Sequence, residues 1–177
     1  FAARLNHRVV YIEESQPSDS GVHWKRLDPE PGVHVCRLYT PLQEWGFTDE
    51  AIPLVRPLLG EIFQDLDIRN YWLWFYTPMA APLAEGLNPR VIVYDAMDEL
   101  AGFLGAPAQL AEREDQLFRM ADVVFTGGPS LHRAKRDRHP NVHCFPSSVD
   151  ASHFGRARAP LPDPADQSGI GRPRLGF

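Results

Sequence analysis

Short, unbroken apolar runs recur along this chain, and the segments between them carry apolar residues at helical spacing. The runs are Arg8-Val9-Val10-Tyr11-Ile12, Tyr71 to Tyr76, Val91-Ile92-Val93-Tyr94, Val123-Val124-Phe125 and Val142 to Phe145. Continuous apolar strands are those buried on both faces, as parallel sheets require. Thr48 to Leu66 reads as a helix, with Thr48 as N-cap and an inward stripe of Ile52, Val55, Leu59, Ile62, Phe63 and Leu66, complicated early by Pro53 and Pro57. Pro107 to Ala121 reads as a second helix, with Leu110, Leu117 and Met120 inward and Glu112, Arg113, Glu114 and Asp115 outward. Pro129 opens a third, which is basic. Strand and helix alternate at least four times, which predicts an α/β fold: an open, mostly parallel, doubly wound, Rossmann-like sheet.

Other segments fit around that frame. Val33 to Tyr39 alternates as a strand with one wetter face, after the turn signal Asp28-Pro-Glu-Pro-Gly32. Ser15 to Gly21 is polar and turn-rich, and a short helical stretch spans Met79 to Leu87. Phe1-Ala-Ala-Arg-Leu-Asn6 reads as the last turns of an amphipathic helix running into the first strand. Ala157 to Arg172, with Pro160, Pro162, Pro164, Gly169 and Gly171, has the composition of an extended linker. Residues 1–155 are expected to form most of one domain, 156–172 a linker, and 173–177 the start of a second domain.

Composition narrows the classes. A formal net charge of -5 over 177 residues, from 18 basic and 23 acidic side chains, argues against a nucleic-acid binder. Two cysteines, Cys36 and Cys144, make no disulfide framework and suggest a reducing compartment, hence a cytoplasmic protein. The longest apolar run, six residues, is far short of the ~20 needed to span a bilayer. Seven histidines lie scattered without metal-ligand spacing, so neither a metal nor a cofactor is expected.

In doubly wound sheets, ligands bind beyond the carboxyl ends of the strands. The candidates there are Thr77; Asp95, Asp98 and Glu99; Thr126, Gly127 and Gly128 with Ser130; and Ser147, Ser148 and Asp150. Asp95 and Asp98 are the candidate catalytic carboxylates, able to act as a general base or to accept hydrogen bonds from sugar hydroxyls. Asp98 also fits as a cap for the segment that follows it. Thr126-Gly127-Gly128-Pro129-Ser130 joins a strand to a helix start, where backbone N–H groups can face an anion. It lacks the glycine fingerprint of dinucleotide sites and the Gly-Lys-Ser/Thr ending of phosphate loops. Arg133, Lys135, Arg136 and Arg138 read as a solvated basic face, with peripheral contact to anionic lipid as the sharper expectation. The aromatic run Tyr71 to Tyr76 reads as core strand.

Two stretches, Asp122-Val-Val-Phe-Thr126-Gly-Gly-Pro-Ser-Leu131 and Phe145-Pro-Ser-Ser-Val-Asp150-Ala-Ser-His-Phe154, resemble the N-terminal half of a bacterial GT-B-fold glycosyltransferase. Val91 to Leu100 and the helix ending Arg119-Met-Ala-Asp122 also look like that group, particularly its retaining members that build cell-envelope polysaccharides. The resemblance implies a hexosyltransferase that uses a nucleotide-sugar donor. This half would contribute the acceptor side of the cleft, for a glycan or lipid-linked acceptor, and a C-terminal domain would hold the donor. It further implies that a first strand and glycine-rich loop would precede Phe1, and that the fragment alone would not turn over. Ser147-Ser148 stands where the group has Asn-Gly. Two alternatives are a nucleotide-sugar epimerase of the same architecture and a non-catalytic sugar- or nucleotide-binding module.

Overall fold

A computed structural model describes residues 6–174. The expectations for residues 1–5 and 175–177 lie outside the described residues. The chain divides into two compact units, Phe1–Pro146 and Ser147–Phe177.

The first unit is α/β, with two sheets. One contains β1 (Val9–Ile12), β2 (Gln16–Pro17), β3 (His23–Glu30) and β4 (Val33–Thr40). β1 and β2 pair in parallel with successive stretches of β4, and β3 runs antiparallel to β4. The second sheet is wholly parallel, in the order β5 (Trp72–Phe75), β6 (Val91–Ala96), β7 (Val123–Thr126) and β8 (Val142–Cys144). Parallel strands fed by helical crossovers are what the alternating sequence predicts, and the unit is α/β and compatible with a Rossmann-like fold; its strands form two sheets rather than the one open sheet expected, and the first sheet includes the antiparallel β3.

β3 departs from the sequence reading, which placed a turn over Asp28 to Gly32. The turn is shorter, at Pro31-Gly32, with Gly32 at φ +80, a conformation that glycine adopts without strain. Asp28 to Glu30 belong to β3, and Pro29 sits where the β3–β4 register shifts between Leu27 and Glu30. A proline donates no ladder hydrogen bond, so a bulge is one of the few strand positions that accept it. The charged residues Lys25, Arg26 and Asp28 masked this strand in the sequence, yet they suit an edge strand. β1 also differs from expectation: Tyr11 is 49% exposed, so the strand is not covered on both faces.

The helices pack one face of these sheets. α1 (Ala51–Asp65) buries Ile52, Val55, Leu58, Leu59 and Ile62 against Cys36 and Leu38 of β4. Thr48 caps its start, its Oγ1 accepting from Ala51 N at 3.2 Å. A 3-10 segment, Pro78–Ala84, follows β5. α2 (Leu110–Met120) buries Leu117 and Phe118 against Tyr94, Ala96 and Val124. α3 (Pro129–Lys135) precedes β8.

Two residues of α2 correct the outward assignment. Arg113 and Glu114 are buried, because each meets fixed partners that replace water. Arg113 Nη1 donates to the carbonyls of Phe47 (2.6 Å) and Met79 (2.8 Å), and Nη2 pairs with Asp49. Arg113 thereby ties α2 to the loop that opens α1.

In the second unit, α4 (Ala151–Gly155) is capped by Asp150, whose carboxylate accepts from the backbone N–H groups of Ser152 (2.9 Å) and His153 (3.0 Å). Short 3-10 turns at Arg156–Arg158 and Ala165–Gln167 follow, and Asp163 pairs with Arg172 and Arg174. Residues 147–173 are exposed throughout. Among the described residues, no helix is long and apolar enough to cross a membrane.

Candidate functional site

The carboxyl ends of β5, β6 and β7 gather the candidates of the first unit, and they fall into two groups.

The first group centres on Asp95, near the end of β6. Alternation along β6 sends Tyr94 and Ala96 into the helix-covered core, so Asp95 projects from the opposite face. Trp74 of β5 shares that face, and its indole Nε1 donates to Asp95 Oδ2 at 3.2 Å. Phe125 of β7, in register with Asp95, packs on Trp74 with ring centroids 5.5 Å apart. Burial pushes the Asp95 carboxyl above its ordinary value, and the Trp74 hydrogen bond offsets only part of that rise. Burial also raises the Tyr76 phenol, reinforced by the nearby charge of Asp95. A carboxyl of raised pKa is a better proton acceptor once ionised and a ready hydrogen-bond acceptor for a hydroxyl.

The second group is a buried ionic network, and it absorbs Glu99, Glu114, Lys135 and Arg138, all of which were read otherwise. Glu114 Oε1 accepts from Tyr94 OH at 2.7 Å and from Lys135 Nζ at 2.7 Å; Glu114 Oε2 accepts from Arg138 Nη1 at 2.6 Å. Burial alone would raise the Glu114 carboxyl, but the three donors together bring it below its ordinary value. Lys135 is 1% exposed, which corrects its place on a solvated basic face: its amine faces Glu114 and Glu99. Arg138 is held by Glu114 and Asp115 and lies 4.1 Å over the Phe118 ring. Arg133 and Arg136 remain exposed. Glu99 belongs to this group too, since Lys135 Nζ reaches its Oε1 at 3.1 Å.

The other candidates serve the fold locally. Thr77 Oγ1 accepts from Met79 N at 3.3 Å and caps the 3-10 segment. Thr126 is fully buried, and its hydroxyl donates to His143 O at 3.3 Å, joining β7 to β8. Gly127 lies against the loop after β6: its N–H donates to Ala96 O at 3.0 Å, and a Cβ there would stand 2.7 Å from Met97 O. Gly128 has extended backbone and nothing within 4 Å of a built Cβ. Asp98 and Ser130 are exposed at the same strand ends. Ser147, Ser148 and Asp150 belong to the second unit, where Asp150 is the cap of α4. Hydrogen bonds from Ser152 and His153 hold the Asp150 carboxyl below its ordinary value.

Sequence reasoning did not single out Trp74, Tyr76, Glu114 or Tyr94. Trp74 and Tyr76 lay inside a run that reads as core. The signal for Glu114 was weak, since a carboxylate two turns into a helix is ordinarily solvated. Among the described residues, no group of three or more His, Cys, Asp or Glu side chains is placed to hold a metal ion.

Compared with models of known protein families and with curated proteins, the chain matches none.

Proposed function

We propose that this chain is the acceptor-side half of a two-domain, GT-B-type glycosyltransferase, which transfers a sugar from a nucleotide sugar to a glycan or lipid-linked hydroxyl. The observation that carries the reading is Asp95: a carboxyl raised by burial and held by Trp74, near the carboxyl end of a central parallel strand, where open α/β sheets bind ligands. In this reading the Asp95 carboxylate accepts the hydrogen bond, then the proton, of the acceptor hydroxyl as its oxygen bonds the anomeric carbon. The bond from that carbon to the donor phosphate breaks, and a nucleoside diphosphate leaves. The exposed Asp98 carboxylate binds a neighbouring hydroxyl. The order of strand, carboxylate cluster and glycine-containing turn, and the resemblance of Val91 to Leu100 and Asp122 to Leu131 to such enzymes, support it.

The test uses the product of the complete reading frame with a panel of nucleotide sugars, following nucleoside diphosphate release with and without acceptors. Acceptor-dependent release is expected, and Asp95→Asn should lower kcat by about 10²–10⁴, the span of general acid–base contributions. Asp98→Asn should act mainly on the acceptor KM. Sugar interconversion without acceptor would replace the transferase with an epimerase, and binding without turnover would leave a sugar- or nucleotide-binding module.

A further inference from the structure

The loop between β6 and α2 spans residues 97–109, and none of them is buried. Its backbone bonds are mostly local: in the 3-10 turn Leu100–Gly102, Gly102 N donates to Glu99 O at 2.9 Å and Phe103 N to Leu100 O at 3.3 Å. Among the described residues, the side-chain hydrogen bond that ties residues 97–108 to the rest of the unit is the one Glu99 Oε1 accepts from Lys135 Nζ of α3, at 3.1 Å.

The two ends of that bond are unlike. Lys135 is buried, its Nζ fixed by Glu114 at 2.7 Å and 5.9 Å from the centre of the Phe118 ring. The Glu99 side chain is 51% exposed, and an ion pair with a partner so open to water is a weak bond. Lys135 keeps Glu114 when Glu99 leaves, so the network stands without Glu99, whereas the loop depends on Lys135. The root of the loop is clamped by the same β7–α3 segment. Gly127 N donates to Ala96 O at 3.0 Å, and Gly127 sits so close to Met97 O that a Cβ would stand 2.7 Å away. Met97 and Glu99 are thus both held, and Asp98 lies between them. Asp98 is exposed and has no side-chain hydrogen bond of its own among the described residues, so these two holds decide where it stands.

We propose that Lys135 is a positioning residue of the strand-end site: anchored by Glu114, it grips Glu99 and, together with Gly127, fixes Asp98 at the carboxyl end of β6, where Asp95 also lies. Glu99 then serves the loop and not the acceptor, and the glycine turn after β7 is a clamp for that loop. The hold stands on the geometry of α3 and the loop alone. That Asp98 meets an acceptor hydroxyl rests on the transfer reading above.

The test uses the product of the complete reading frame. Glu99→Ala should speed amide exchange across the loop after β6 about tenfold, while the melting temperature holds within a few degrees. Glu99→Gln, whose amide oxygen still accepts from Nζ, should restore much of the protection. Lys135→Met should loosen the same amides, and combining it with Glu99→Ala should loosen them no further. Should Lys135→Met fail to fold, because it strands the Glu114 charge, the two Glu99 variants decide. With an acceptor that the wild type glycosylates, Glu99→Ala should raise the acceptor KM about three- to tenfold and leave kcat within about twofold. On an Asp98→Asn background the same change should add nothing to KM, since the contact it positions is gone. Loop exchange that ignores Glu99→Ala would overturn the proposal, and so would an unmoved KM or a fall in kcat alone. If the wild type transfers sugar to no acceptor, the transfer reading fails by itself, and loop exchange in the Glu99 variants still decides the hold.

Discussion

Asp95 and Glu114 are both carboxylates in partly buried settings, and they are driven in opposite directions. Glu114 has three donors on its two oxygens, so its folded value lies below its unfolded one. Its contribution to stability is full above the unfolded value and is lost as pH falls through the folded one. Asp95 has one indole N–H against its burial, so its folded value lies above the unfolded one. Its ionisation weakens the fold as pH rises through that range, and the penalty is absent below the unfolded value. Asp95→Asn is therefore expected to raise the chemical-denaturation midpoint at pH 7 and to leave it nearly unchanged at pH 3. A fall in midpoint at pH 7 would show that the carboxylate serves the fold. The two glycines after β7 separate just as cleanly. Gly127→Ala must push its Cβ against Met97 O and is expected to cost about 1–3 kcal/mol. Gly128→Ala meets nothing and should stay within about 0.5 kcal/mol. Equal melting temperatures for the two variants would refute this.

At the level of elements, α2 and α3 are joined by the Glu114 network rather than by apolar contact alone. Tyr94 reaches into it from β6, and Glu99 from the loop beyond. Removing one member of a buried pair leaves charge without a partner, which typically costs about 3–5 kcal/mol. Lys135→Ala should fall near the lower end, because Arg138 and Tyr94 still bind Glu114. Arg133→Ala and Arg136→Ala, both exposed, should change stability by no more than about 0.5 kcal/mol. If the basic segment touches anionic lipid, vesicle binding should therefore respond to Arg133 and Arg136 and not to the amine of Lys135. Thermal melts of the three variants beside a sedimentation assay with phosphatidylserine vesicles separate the roles. The elements themselves were largely legible: the apolar runs became β1, β5, β6, β7 and β8, and the periodic stretches became α1 and α2. β3 was not, because an edge strand of a mixed sheet needs no apolar run and can carry Lys25, Arg26 and even a bulged Pro29.

Across the whole molecule, the two units differ in what holds them. The first has two apolar clusters, whereas residues 147–173 are exposed and tied by local caps and the Asp163 pairs. Limited proteolysis is expected to cut first between residues 156 and 172, and trimming to Pro146 should leave the melting temperature of the first unit within a few degrees. Early cuts between Val91 and Thr126 would contradict that. The sequence by itself determined the α/β class, the parallel strands and the strand ends at which the carboxylates fall, because periodicity and apolar runs are local properties of the chain. Only the tertiary structure decided which polar groups are free. It engaged Lys135, Glu99 and Thr126 in internal bonds, left Asp98 exposed, and set Asp95 against Trp74. Those outcomes depend on partners far along the chain: Glu114 for Lys135, His143 for Thr126 and Trp74 for Asp95. Whether a buried polar group is satisfied is settled by such distant pairings, which no local pattern records.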